Sequence, residues 1–155
     1  MSDPYTRSKF GTDTATIAVF DPAALAHRCG DDADWWSIPR DEISEINQGN
    51  VLFVGLGCDG GYEVDIYQNI GESECPSKFV SANVRVLSGC IYIGAGEQVP
   101  AGDFGPETTY GGTLIYAEKG TIEVRIYSPE SGKLIVEYCS TDNEAKNDFK
   151  VSPAL

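Results

Sequence analysis

The chain has 155 residues, a length typical of one domain that can bury a substantial core. Its 24 Asp and Glu residues outnumber 11 Lys and Arg residues, and the formal net charge of −13 opposes binding to nucleic acid phosphates or to anionic membranes. No apolar run is long enough to span a bilayer, and the polar N-terminus lacks the apolar core of a secretory signal. We therefore expect a single cytoplasmic domain in which residues 1–11 and 141–155 are peripheral or flexible.

The first third of the chain predicts one strand followed by two short helices. The β-branched run Thr14–Phe20 is typical of a strand. Asp21, followed by a proline, predicts the capped start of a helix over residues 22–29. A second helix is expected from Ser37 to about Glu45, with acidic residues near its N-terminus, where the helix dipole favours them.

The remainder of the chain is typical of β-structure. Short runs rich in β-branched and aromatic residues alternate with turns that contain Gly, Asp, Ser and Pro. The predicted strands are Val51–Leu56, Tyr62–Tyr67, Phe79–Leu87, Cys90–Gly94, Thr113–Ala117, Thr121–Tyr127 and Lys133–Cys139. Seven or eight such strands favour a mainly β fold, an antiparallel β-sandwich with two short helices near the N-terminus.

Two pairs of β segments resemble each other and indicate a possible internal two-copy repeat. The pairs are Val54–Gly57 with Ile93–Gly96, and Tyr62–Tyr67 with Ile122–Tyr127. Each copy is interpreted as ending in a hairpin, with an insertion from about Glu97 to Ala117 in the second copy; chance similarity between β-hairpins is the alternative. The period of two predicts that Val64 and Ile66 face the core, whereas Glu63 and Asp65 face water.

The residues that usually carry catalysis or metal binding are sparse. Five cysteines without a C-x-x-C pair, and one histidine, do not form a usual zinc-binding pattern, so we expect free thiols and no stabilising disulfide framework. The chain has no nucleophile elbow, HExxH motif or P-loop. The glycines of residues 55–60 indicate a turn, because a strand follows where a dinucleotide-binding loop requires a helix. We expect no cofactor and no enzymatic activity.

An acidic segment that runs into two tryptophans is the strongest candidate for binding. Asp31, Asp32 and Asp34 precede Trp35 and Trp36, which is typical of an aromatic anchor with an acidic surround for a basic partner. The alternatives are two tryptophans that close the core, a calcium-binding loop without EF-hand spacing, and a platform that stacks on sugars. The candidate partner-binding residues are Asp31, Asp32, Asp34, Trp35, Trp36, Asp41, Glu42, Glu45, Asp59, Glu63 and Asp65.

The run Thr16–Asp21, then Asp34–Trp36, then Gly-rich β-hairpins up to about residue 140 resembles small acidic bacterial β-sandwich proteins that inhibit nucleases or give immunity to polymorphic toxins. The resemblance implies a tight one-to-one complex with a cognate toxin, without a cofactor or catalysis. A nuclease presents cationic surface to its substrate, and an acidic inhibitor can compete for that surface. We expect a protein-binding module with a basic protein partner. A homodimer, a calcium- or carbohydrate-binding sandwich and an enzyme that uses paired carboxylates stay open as alternatives.

Overall fold

The computed structural model describes residues 3–71, 78–102, 106 and 111–155. Within these residues the chain forms nine strands, one α-helix and three short 3-10 helices. The strands are β1 (Thr6–Thr12), β2 (Thr16–Phe20), β3 (Leu52–Gly55), β4 (Gly60–Tyr67), β5 (Val80–Val86), β6 (Cys90–Ala95), β7 (Thr113–Tyr116), β8 (Gly120–Glu130) and β9 (Lys133–Thr141). The helix α1 spans Pro39–Asn47, and the 3-10 helices span Pro22–Arg28, Trp35–Ser37 and Gly96–Gln98. All eight strands predicted from the sequence are confirmed.

The strands form two sheets, ordered β1-β4-β9-β8-β5 and β3-β2-β6-β7. The expected mainly β sandwich is confirmed. One pair departs from the antiparallel expectation, because β9 runs parallel to β4. The tight β8–β9 hairpin places β9 antiparallel to β8, and β9 thereby fills the position between β8 and β4.

The core lies between the two sheets and continues outward beneath the helical segment. In β5 and β8 every second residue is buried, which is the period of a strand with one face on a core. All five residues of β2 are buried, because the helical segment that follows β2 packs over β3 and β6 on the outer face of its sheet. This cover carries six of the nine acidic residues predicted to bind a partner.

Most of residues 1–11, which we expected to be peripheral or flexible, belong to the ordered outer strand β1. This strand pairs with β4 along seven residue pairs, and Phe10 is buried with its ring stacked on Tyr62. Polar residues occupy most of β1, so its sequence lacks the hydrophobic density that marks a strand. Backbone pairing to an existing sheet supplies the stability instead.

The C-terminal segment is also ordered against the sandwich. The side-chain amide of Asn147 bonds to both the N–H and the C=O of Asn83 on β5, and Ala154 bridges Gly55 at the end of β3. These contacts use side-chain amides and backbone groups, which leave no periodic apolar pattern in the sequence. The segment after residue 141 therefore covers the edges of both sheets and is not free.

The topology does not support the two-copy repeat. β3 and β4 lie in different sheets, so the predicted hairpin of the first copy is absent from the described residues. β3 and β6 run in the same direction because each is antiparallel to β2, whereas β4 and β8 run in opposite directions on the two sides of β9. The two copies consequently differ in strand direction, and the sequence similarity is that of generic β segments.

Candidate protein-binding surface

The helical segment is anchored at its start by the buried carboxylate of Asp21. This side chain accepts a hydrogen bond from the N–H of Ala23, which caps the 3-10 helix Pro22–Arg28 as the sequence predicts. It also accepts bonds from the N–H groups of Leu87 and Ser88 and from the Ser88 hydroxyl. One carboxylate therefore fixes the first turn of the segment to the β5–β6 turn.

A second buried carboxylate, Glu45 of α1, anchors the far end of the segment. It lies within 2.8 Å of His27 Nε2, and it accepts hydrogen bonds from Arg28 Nε at 2.7 Å and Asn50 Nδ2 at 2.8 Å. Burial by itself would raise the pKa of Glu45, but the bonds from Asn50, Arg28 and His27 outweigh it, and its pKa is lowered from the ordinary value. Glu45 is only 2 % exposed, so its assignment to a partner-binding surface is wrong.

Arg28 connects this buried carboxylate to the acidic loop. Its guanidinium contacts Asp31 at 3.0 Å and Asp41 at 3.5 Å, and it lies 4.5 Å from the centre of the Trp35 ring. Burial lowers the pKa of Arg28, whereas its bonds to Glu45 and Asp31 raise it, and the net direction is upward. The cation is therefore engaged inside the segment, where it holds the Asp31 loop against α1.

The tryptophans are core residues and not a surface anchor. Trp35 is 3 % exposed and Trp36 is 7 % exposed, and both rings pack on Phe53 of β3. The indole N–H of Trp35 donates to the carbonyl of Pro100 at 2.9 Å, which satisfies its one polar group. The interpretation that both tryptophans close the core is correct, because both side chains are buried against β3.

An apolar residue missed by the sequence analysis is exposed at the same place. Ile38 precedes α1, in the cap position where polar residues are preferred, and 46 % of it is exposed to solvent. It borders a surface cavity of ≈ 340 Å³ lined by Arg28, Gly30, Asp31, Asp32, Trp35, Ile38 and Asp41. We call the group Asp31, Asp32, Asp34, Ile38 and Asp41 the Ile38 surface. An apolar residue in place of a cap was the available signal.

The other predicted acids are distributed differently. Glu42 of α1 is half-buried, and burial raises its pKa against an opposing hydrogen bond from Ser152. Asp65 was expected to face water but is 7 % exposed, because Arg7 and Lys133 approach it at 3.3 and 3.2 Å. Their long side chains cover the carboxylate on the outer face of the sheet, so the assignment of Asp65 to partner binding is wrong.

Asp59 and Glu63 are exposed, as the sequence predicts. Asp59 lies in the turn before β4, and Glu63 lies in β4. Glu63 forms an exposed ion pair with Lys9 at 3.8 Å. Within the described residues, no ion pair or side-chain hydrogen bond joins either of them to the Ile38 surface. The structure thus brings four of the predicted acids together around Ile38. It places Glu63 on the five-stranded sheet and Asp59 in the turn that leads into that sheet.

The described residues offer no cluster of three His, Cys, Asp or Glu side chains placed to hold a metal ion. Of the three acids in the calcium interpretation, Asp31 contacts the Arg28 guanidinium, whereas Asp32 and Asp34 are exposed. Cys29, Cys58, Cys90 and Cys139 are free thiols, whereas Cys75 lies outside the described residues. No helix in the described ranges is both long and apolar enough to cross a membrane.

A model described as a family of unknown function, DUF6386, matches residues 5–152. The chain belongs to this family. Among solved structures, this DUF6386 chain is similar to ComJ from Bacillus subtilis, an inhibitor of the DNA-degrading activity of NucA, with a TM-score of 0.57, 12 % identity and coverage of 91 % of this chain and 99 % of ComJ.

A second similar structure is described as crocagin biosynthetic gene J, with a TM-score of 0.53, 11 % identity and coverage of 86 % of this chain and 96 % of that one. A comparison with curated proteins gives no match. The resemblance to nuclease-inhibiting sandwiches noted in the sequence is confirmed at the level of the fold.

Proposed function

We propose that this DUF6386 protein is a non-enzymatic, cytoplasmic inhibitor or immunity protein. It binds a cognate basic protein, a nuclease toxin of bacterial origin, through the Ile38 surface. The observation that carries the proposal is an exposed apolar residue surrounded by carboxylates on an otherwise strongly acidic domain. The shared fold with an inhibitor of a DNA-degrading enzyme supports the class of partner.

The charges of the surface fit this role. Asp32 and Asp34 are exposed and have no ion pair among the described residues, so they contribute negative potential outward. Arg28 does not neutralise them, because its guanidinium is engaged with Glu45, Asp31 and Asp41. A basic partner is then steered by charge and retained by apolar contact with Ile38, a division typical of protein interfaces.

The rigid base of the surface favours tight binding. Arg28, Asp21 and Glu45 fix the loop and the start of α1 before any partner arrives, so little conformational entropy is lost on association. Inhibition would require only that the acidic surface occupies the cationic surface on which a nuclease holds DNA. No covalent or metal-dependent step is needed on the side of the inhibitor.

The test is capture of the partner from the source organism with the tagged protein, followed by a DNA-degradation assay of the captured protein after dissociation. We expect a basic protein that degrades DNA when free and is inhibited by one equivalent of this chain. Ile38→Asp should weaken the inhibition, whereas Leu87→Asp, at another exposed apolar residue, should not. A captured partner whose activity the chain leaves unchanged would contradict the proposal.

A further inference from the structure

Three of the four outer strands of the sandwich are covered by other parts of the chain. On β3, Gly55 donates its N–H to the carbonyl of Pro153 and accepts a bond from the N–H of Leu155. On β5, the Asn147 amide bonds to the backbone of Asn83. On β1, the carbonyl of Lys9 accepts a bond from the N–H of residue 112. Such cover is the usual protection of a sheet edge.

β7 is the fourth outer strand. Its hydrogen bonds with neighbouring residues show which of its backbone groups point towards β6 and which point away. Ala117 donates its N–H to Gly89 on the β6 side, whereas Gly112 donates to Lys9 and the Tyr116 carbonyl accepts from Tyr138 on the opposite side. Alternate residues of an antiparallel strand point their backbone groups to opposite edges. The N–H groups of Leu114 and Tyr116 therefore point away from β6, and none of the described residues accepts from them.

Two side chains of this strand are exposed, and none of its four side chains is charged. Leu114 is 57 % exposed and Tyr116 is 64 % exposed, on the face of β7 opposite the buried Ile115. β7 contains no lysine, proline or acid of the kind that normally protects an edge strand. An open edge with two large exposed apolar side chains is a typical place for an extended segment of another protein to pair.

A cavity of ≈ 440 Å³ opens at the end of this edge. It is lined by Gln68, Asn69, Tyr116, Ala117, Glu118, Tyr138, Cys139 and Ser140. The lining contains one carboxylate, that of Glu118, and no Lys or Arg, and Tyr116 and Tyr138 contribute aromatic walls. A carboxylate beside aromatic rings is suited to a guanidinium or ammonium group.

We propose that β7 and this cavity together bind an extended segment of the basic protein partner, with the segment paired along Leu114 and Tyr116 and an Arg or Lys side chain in the cavity beside Glu118. The open part of this edge is short, since the Gly112 N–H already bonds to Lys9 and the Tyr116 carbonyl already accepts from Tyr138. The segment therefore spans about four residues, and its basic residue lies at the end nearer Tyr116. This inference rests on the proposed function for the basic nature of the partner.

The probes are two peptides, acetyl-Val-Thr-Val-Arg-amide and the same sequence with Gln in place of Arg, titrated into the ¹⁵N-labelled chain by NMR. We expect the amide signals of Leu114 and Tyr116 to shift, while that of Ile38 does not. The Arg peptide should bind about fivefold tighter than the Gln peptide, a difference typical of one exposed ion pair. Glu118→Gln should remove that difference, and the control Glu130→Gln, at another exposed acid, should retain it.

Equal binding of the two peptides would overturn the assignment of the cavity to a cation. Shifts spread over the Ile38 surface, or none at β7, would overturn the docking edge itself. Neither result bears on the inhibition assay, in which Ile38→Asp reports on the proposed function. A second readout is how strongly the Leu114→Lys variant inhibits the captured partner. Its inhibition should be weaker than that of the wild-type chain if β7 is part of the interface, and equal to it if β7 is not.

Discussion

Replacing Glu45 with Gln tests whether the buried carboxylate holds the segment that carries the Ile38 surface. The wild-type carboxylate is 2 % exposed and bonds to Arg28, His27 and Asn50. The amide of Gln removes the charge and directs a donor at groups that are themselves donors. Loss of one partner from a buried charged network costs about 3 kcal/mol of unfolding free energy.

Urea unfolding at pH 7 measures this cost. With a denaturant slope of about 2 kcal/mol/M, the midpoint of Glu45→Gln should fall by about 1.5 M with the slope unchanged. The control Asp32→Asn removes an exposed acid and should change stability by no more than about 0.5 kcal/mol.

The pH dependence has a defined sign. The pKa of Glu45 is lowered on folding from its ordinary 4.5, so its stabilisation is complete above that value and is lost as the pH falls through the lower folded pKa. The difference in urea midpoint between wild type and Glu45→Gln should therefore become smaller below about pH 4.5. Equal midpoints for Glu45→Gln and Asp32→Asn at pH 7 would refute the anchoring role.

Three further predictions concern stability. Gly112→Ala should destabilise the fold far more than Gly57→Ala, as thermal unfolding of the two variants can show. Both glycines have positive φ (85° and 83°), but a Cβ at residue 112 would lie 2.8 Å from Tyr92 Cζ, whereas a Cβ at residue 57 would have no described atom beyond its chain neighbours within 4 Å. Trp36→Ala should cost about 3–5 kcal/mol by urea unfolding, because the ring is buried against Phe53, whereas Tyr116→Ala at an exposed site should cost little. Chelator and reductant should each leave the melting temperature unchanged; a drop with chelator would revive the calcium interpretation of residues 31–34, and a drop with reductant would indicate a native disulfide.

Eight strands could be predicted because they combine β-branched runs with Gly and Asp turns, and the cap at Asp21 could be predicted from the proline that follows it. β1 could not, since its stability comes from backbone pairing with β4 and from one buried ring, Phe10. The parallel alignment of β9 with β4 depends on long-range order that local patterns do not contain.

The acidic character of the candidate surface followed from the sequence, but its apolar centre did not. Trp35 and Trp36 have the residue type of an interface anchor, and only the packing against Phe53 shows that they are buried. Ile38 occupies the cap position of α1, but only the packing of α1 in the structure shows that its side chain is exposed. Ion pairs that cover Asp65 likewise depend on residues far apart in sequence.

The central claim is that the Ile38 surface steers and retains a basic partner, and its most direct test is stopped-flow association with the captured partner across ionic strength. We expect the double substitution Asp32→Lys and Asp34→Lys to slow association and flatten its salt dependence. Ile38→Ala should instead raise the dissociation rate. A matched double substitution at exposed acids elsewhere, Glu130→Lys and Asp142→Lys, should have a smaller effect on both. Equal association rates and salt slopes for the two double variants, with the fold intact, would contradict the claim.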